Sequence, residues 1–204
     1  MTFASRIARR VVAPRALAAC AGLLLFAASP AAAQGPVPAP TKADIAFMSG
    51  MIHHHAQAIE MVNLIAARTK SAQMKSLGER INTSQRDEIG MMQTWLRQHG
   101  QEAPDPLPHL GMDMGEHDAH MMPGMLTKEQ MKALAAAKGT AFDRLWIEGM
   151  IQHHTGALTM VRELFASSGA AQNTAIFRFA SDVDADQRAE ITRMRAMLKT
   201  LPAK

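Results

Sequence analysis

Thiols are almost absent from this chain of 204 residues: its one cysteine is Cys20, and tyrosine does not occur at all. A single cysteine closes no intrachain disulfide and builds no thiolate cluster, so a disulfide scaffold and a Cys-based metal site are both excluded. Long apolar runs are missing too. The run from Ala16 to Ala28, broken only by Gly22, falls well short of the roughly 20 residues that a spanning helix needs. Charge of one sign is not abundant either, since 22 Lys and Arg face 18 Asp and Glu for a formal net charge of +4.

That small excess is unevenly placed. Residues 1–33 carry Arg6, Arg9, Arg10 and Arg15 and no acid, then the apolar run, then Ala31-Ala32-Ala33. A basic start, a short apolar stretch and small residues at the end predict a secretory signal peptide cleaved after Ala33. Leu17-Ala18-Ala19-Cys20 has the look of a lipoprotein box, but the apolar run follows it instead of preceding it. Arg9-Arg10 leaves the general secretory and twin-arginine routes both open.

Without this segment the chain is neutral, with 18 basic and 18 acidic residues, and has no cysteine. Neutrality removes the basic face that a nucleic-acid binder would need, and no stable membrane insertion is expected after cleavage. No Ser/His/Asp grouping or phosphate loop supports a hydrolase or nucleotide reading. A soft metal would have to be held by methionine and histidine, of which the sequence has 17 and 9.

What is plentiful is internal repetition. Asp44 to Val62 aligns without gaps on Asp143 to Val161, matching Gly50 with Gly149, Met51 with Met150, His54-His55 with His153-His154 and Met61 with Met160. A second match comes after each: Ile81, Gln85, Arg86, Glu88, Ile89, Met92 and Leu96 correspond to Val183, Gln187, Arg188, Glu190, Ile191, Met194 and Leu198. Apolar residues recur at three and four, so all four segments read as helices, and two helical hairpins imply an antiparallel four-helix bundle. Thr41 is a candidate cap, Thr69-Lys70-Ser71 and Ser167-Ser168-Gly169 mark the hairpin turns, and Thr127 with Gln130 forms a capping box for a short helix before Gly139. The predicted organisation is a signal peptide (1–33), a Pro-rich lead-in (34–42) and the bundle (43–199). The bundle comprises repeat 1 (43–99), an insert (100–125) and repeat 2 (126–199).

On a helical wheel Met51, His54, His55, Ala58 and Met61 share one face of about 120°, while His53 falls opposite and is Gln152 in the second copy. The partner helix places Glu88 on its apolar side, which is costly without a partner, and Glu190 is its equivalent. His54, His55, His153 and His154 are therefore candidate metal ligands. Glu88 and Glu190 are either further ligands or carboxylates that orient the imidazoles. Asp44 and Asp143 suit helix N-termini better than metal.

The insert concentrates His109, Met112, Met114, His117, His120, Met121, Met122 and Met125 in a Pro-rich polar stretch with no core to fill. Thioether with imidazole suits Cu(I), and imidazole with carboxylate also accommodates Cu(II). Compositional drift in a linker is the bland alternative.

The doubled Met-Ile-x-His-His-x-x-Ala-x-x-Met pattern, each copy succeeded by Gln-x-x-Glu-Ile-x-x-Met, with Met122-Pro123-Gly124-Met125 between them, resembles the domain of unknown function 305 family. That family includes CopM-like periplasmic copper-binding proteins. The resemblance implies a ferritin-like four-helix bundle and copper as the bound metal. Its motif residues fall on Met51, His54, His55, Met61, Met150, His153, His154, Met160 and the Met121 to Met125 segment.

The expected function is an exported, periplasmic or secreted copper-binding protein that is not an enzyme. It would take Cu(I) first, with Cu(II) or Ag(I) as further cargoes, for buffering, resistance or delivery as a metallochaperone. Its partner would be a copper-exporting or copper-accepting protein. Two other readings stand beside it: a ferritin-like di-metal carboxylate oxidase using Glu88, Glu190 and the four histidines, and a structural or partner-binding bundle whose His and Glu form a buried polar network. The oxidase reading is short of ligands, because neither His-bearing helix supplies an inward Glu.

Overall fold

A computed structural model describes residues 38–106 and 122–202. The signal-peptide segment and residues 107–121, with His109, Met112, Met114, His117, His120 and Met121, lie outside them. Among the described residues the regular structure is all helix: α1 (Lys42–Arg68), α2 (Ala72–Gln98), α3 (Lys128–Ala136), α4 (Gly139–Ala166) and α5 (Thr174–Thr200). None of these helices is long and apolar enough to cross a membrane.

The ends obey local chemistry. Thr41 caps α1 in a reciprocal box with Asp44, whose Oδ2 accepts from Thr41 N at 2.7 Å while Asp44 N donates to Thr41 Oγ1 at 3.1 Å. Ser71 caps α2 after the three-residue turn at 69–71, and Thr127 with Gln130 boxes the start of α3, both as the sequence indicates. Asn173 caps α5 through Ala175 N.

The long helices pair as hairpins, α1 with α2 and α4 with α5, and the hairpins join through α1 against α4. Trp146 Nε1 donates to Met61 O at 2.8 Å and His153 Nε2 to His54 O at 2.8 Å, so α1 and α4 run antiparallel about a pseudo-two-fold that relates the repeats. Burial divides into two cores, one holding Met51 and Met160 and the other Met61 and Met150, each drawing one motif methionine from either repeat. Helices α2 and α5 touch little. A groove of about 690 Å³ opens between them, floored by Met48, Trp95 and Phe179.

The two equivalent aspartates have diverged. Asp44 is buried, and its Oδ1 also accepts from Ala171 N at 2.7 Å, tying the start of α1 to the α4–α5 turn at a residue with φ of 55°. Asp143 is equally buried, but its Oδ1 has no hydrogen-bond partner among the described residues. Asp44→Ala is expected to cost roughly 1–3 kcal/mol by stripping Thr41 N, Thr41 Oγ1 and Ala171 N of their acceptor. Asp143→Ala should cost far less, and melting temperatures of the two variants side by side check the contrast.

Candidate metal centre

The four histidines of the repeat all sit where α1 crosses α4, and each has no solvent exposure at all. His53 is half-buried on another side of α1. At the pseudo-two-fold, the rings of His54 and His153 lie 3.8 Å apart between centroids at 38°. The outer pair engages the carboxylates from the second helix of each hairpin. His55 Nε2 meets Glu88 Oε2 at 2.5 Å and His154 Nε2 meets Glu190 Oε2 at 2.5 Å. Ser84 donates to the other oxygen of Glu88 at 2.8 Å.

The inner pair uses carbonyls instead. His153 Nε2 donates to His54 O, whereas His54 Nε2 donates to Pro123 O at 3.0 Å. Every inward imidazole thus has its Nε2 engaged. The Nδ1 atoms of His54, His55, His153 and His154 are buried with no hydrogen-bond partner among the described residues. An imidazole whose Nε2–H is held by a carbonyl must carry its lone pair on Nδ1. Burial first, then the proximity of His55, pushes His54 down to about 3, and burial with the proximity of His54 takes His153 well below its ordinary value, so both are neutral near pH 7. Glu88 is lowered on balance: burial would raise it, but the hydrogen bond with His55, the charge of His55 and the Ser84 contact outweigh that.

A strap crosses this face. Met122-Pro123-Gly124-Met125 forms a turn closed by Met125 N to Met122 O at 3.2 Å, with Gly124 at φ +77°. Gln57 fastens the next residue, accepting from Leu126 N at 2.7 Å and donating to Leu126 O at 2.9 Å. The α4 equivalent of Gln57 is Gly156, where an added Cβ would run into Pro123 O and lie 2.6 Å from Gly124 Cα. Gln152 donates to Met125 O at 3.2 Å. The strap is therefore held to α1 by the Gln57 side chain, and to α4 by the Gln152 side chain and by close approach to the bare Cα of Gly156.

Of the methionines singled out in the sequence, Met51, Met61 and Met150 are fully buried, Met160 nearly so, and Met122 and Met125 are half-buried in the strap. Met122 Sδ and Met160 Cε both reach the open side of Gly50, at 3.3 and 3.5 Å from where its Cβ would be. Among the described residues, no three His, Asp or Glu side chains are gathered to hold a metal ion. The roles of Gln57 and Gly156 were not read from the sequence, where this position is one of several mismatches between the repeats.

The family of Domain of unknown function (DUF305) matches residues 44–198. The chain belongs to this family. No protein of curated function matches it. Among solved structures, a DUF305 fragment from Deinococcus radiodurans is 27% identical with a TM-score of 0.67, covering 80% of this chain and all of its own. A putative secreted DUF305 protein from Streptomyces coelicolor is 28% identical with a TM-score of 0.66, covering 79% of this chain and 95% of its own. CopM in a Cu(II)-bound form is 28% identical with a TM-score of 0.59, covering 76% of this chain and 95% of its own. CopM also has Cu(I)-bound and Ag-bound structures that match this chain. The DUF305 assignment agrees with the resemblance drawn from the doubled His-His motif.

Proposed function

We propose that this DUF305 protein is an exported, non-enzymatic copper binder that takes Cu(I) as cargo, and Cu(II) or Ag(I) as alternatives, to buffer it or pass it to an accepting protein. The observation that carries this reading is the four-fold recurrence of one arrangement: Nε2 tied to a carboxylate or carbonyl, Nδ1 buried and without a hydrogen-bond partner among the described residues. Metal-ligating histidines have this form, with the second nitrogen fixed by a carboxylate or carbonyl that orients the ring and raises its basicity. An unsatisfied buried nitrogen costs about 1–3 kcal/mol, so four of them in one layer call for a reason. The inner pair, His54 and His153, is neutral near pH 7 and can bind without first losing a proton.

The donor set is the second support. Imidazole and thioether without thiolate suit Cu(I) and Ag(I), and the similarity to CopM, solved with copper and with silver, points the same way. Export is supported by the basic and apolar N-terminal pattern and by the absence of cysteine after it. The oxidase reading is weakened because Glu88 and Glu190 are both held by imidazoles.

Competition of the mature chain against a Cu(I) chelator tests the proposal. Uptake of copper is expected, persisting with fewer equivalents when residues 107–121 are deleted. No uptake by the full mature chain would end it.

A further inference from the structure

The sequence repeats Gly50 as Gly149, and each glycine faces a methionine of the opposite repeat. A Cβ at Gly50 would lie 3.5 Å from Met160 Cε, and one at Gly149 would lie 3.3 Å from Met61 Cε. Sequence symmetry alone would make these two equal thioether sites. The strap makes them unequal. Over Gly50 it lays Met122, whose Sδ would sit 3.3 Å from that Cβ; over Gly149 it lays Leu126, whose Cδ2 would sit 2.9 Å away.

Exposure shows the same division. Gly50 and Met122 are half-buried and Met160 keeps 9% of its surface, whereas Gly149 is buried, Met61 and Met150 have none and Leu126 has 4%. Gln57 holds both backbone polar groups of Leu126, so the hydrocarbon plug over Gly149 is fixed by two hydrogen bonds. Gly156 lets Pro123 and Gly124 settle close to α4 and so sets the position of Met122.

We infer that the chain takes a soft monovalent cation at the Gly50 face through the thioethers of Met122 and Met160, while the equivalent Gly149 face is sealed and structural. This rests on the copper-binding reading and adds to it which half of the repeat binds. A thioether is a ligand for Cu(I) or Ag(I), and a leucine branch is not. A cation also needs a route from water, which the Gly50 face has and the Gly149 face lacks.

The test is Ag(I) titration of the full mature chain with its methionine methyls labelled for NMR, beside Cu(I) competition. The Met122 and Met160 methyl signals are expected to shift with the first equivalent, and those of Met61 and Met150 to stay. Met122→Leu and Met160→Leu, which conserve volume, should each weaken that binding by at least about tenfold. Met61→Leu and Met150→Leu should leave it unchanged. Leu126→Met, which places a thioether over Gly149, should add a weaker equivalent. Binding that persists in all four leucine variants, or falls equally in all four, overturns this inference and leaves the copper-binding reading standing. A wild-type chain that takes neither metal removes both.

Discussion

Gly156→Ala is expected to destabilise the protein by roughly 1–3 kcal/mol, the size of an overpacked contact, although Gly to Ala inside a helix ordinarily stabilises by about 1 kcal/mol. The sign reverses because of where the methyl would go. It would collide with Pro123 O and Gly124 Cα, which are backbone atoms that cannot rotate aside as a side-chain tip can. Gly124→Ala should fail in the same way, since its Cβ would lie 2.5 Å from Gln152 O, and φ of +77° strains any residue with a side chain. Either change lifts the strap and takes from His54 the carbonyl of Pro123. Hydrogen exchange in residues 122–126 should rise sharply in both variants while the amides of α2 and α5 hold their protection. An unchanged melting temperature for Gly156→Ala would show that the strap does not pack as described.

The apo protein should also lose stability steeply on acidification. His54 in the folded chain stands at about 3 and His153 is likewise well below its ordinary 6.5, so below that value the unfolded chain binds protons that the folded chain refuses. Stability is therefore fully present above pH 6.5 and falls as pH drops toward 3, by up to about 1.4 kcal/mol per pH unit for each of the two groups. Glu88, lowered from its ordinary 4.5, adds to the loss in the same direction as pH falls through its folded value. Between pH 7.5 and 5 a loss of a few kcal/mol is expected, about 2–4 °C of melting temperature for each one. His54→Gln should flatten the curve. A melting temperature independent of pH over this range would contradict neutral burial of the inner pair.

Much of this was legible in the sequence, for identifiable reasons. Helical periodicity placed His54 and His55 on the face of Met51 and Met61, and a buried face is what the structure gives them. An inward glutamate needs a partner, and Glu88 and Glu190 found His55 and His154. The caps at Thr41 and Thr127 come from short-range chemistry that is read within four residues. The strap was not legible. Its contacts to Gln57 and His54 bridge 69 residues of sequence, and no local pattern encodes such a pairing. Nor does a wheel reveal that a carbonyl from outside the repeat replaces the symmetric acceptor of one histidine. The Gln57/Gly156 difference is one of several between the repeats, so nothing local marks it out.

The central claim is that the four inward imidazoles are poised to bind metal through Nδ1 and are not merely a hydrogen-bonded layer. Substituting His54, His55, His153 and His154 together by Gln separates the two roles, because the Gln amide can donate as Nε2 does while offering no nitrogen lone pair at the Nδ1 position. Cu(I) affinity and melting temperature of this variant should be measured beside those of the wild-type mature chain. The account predicts that copper affinity falls by at least about a hundredfold while the fold survives with a modest loss of stability. Copper affinity equal to that of the wild type, with only the melting temperature lowered, would contradict it.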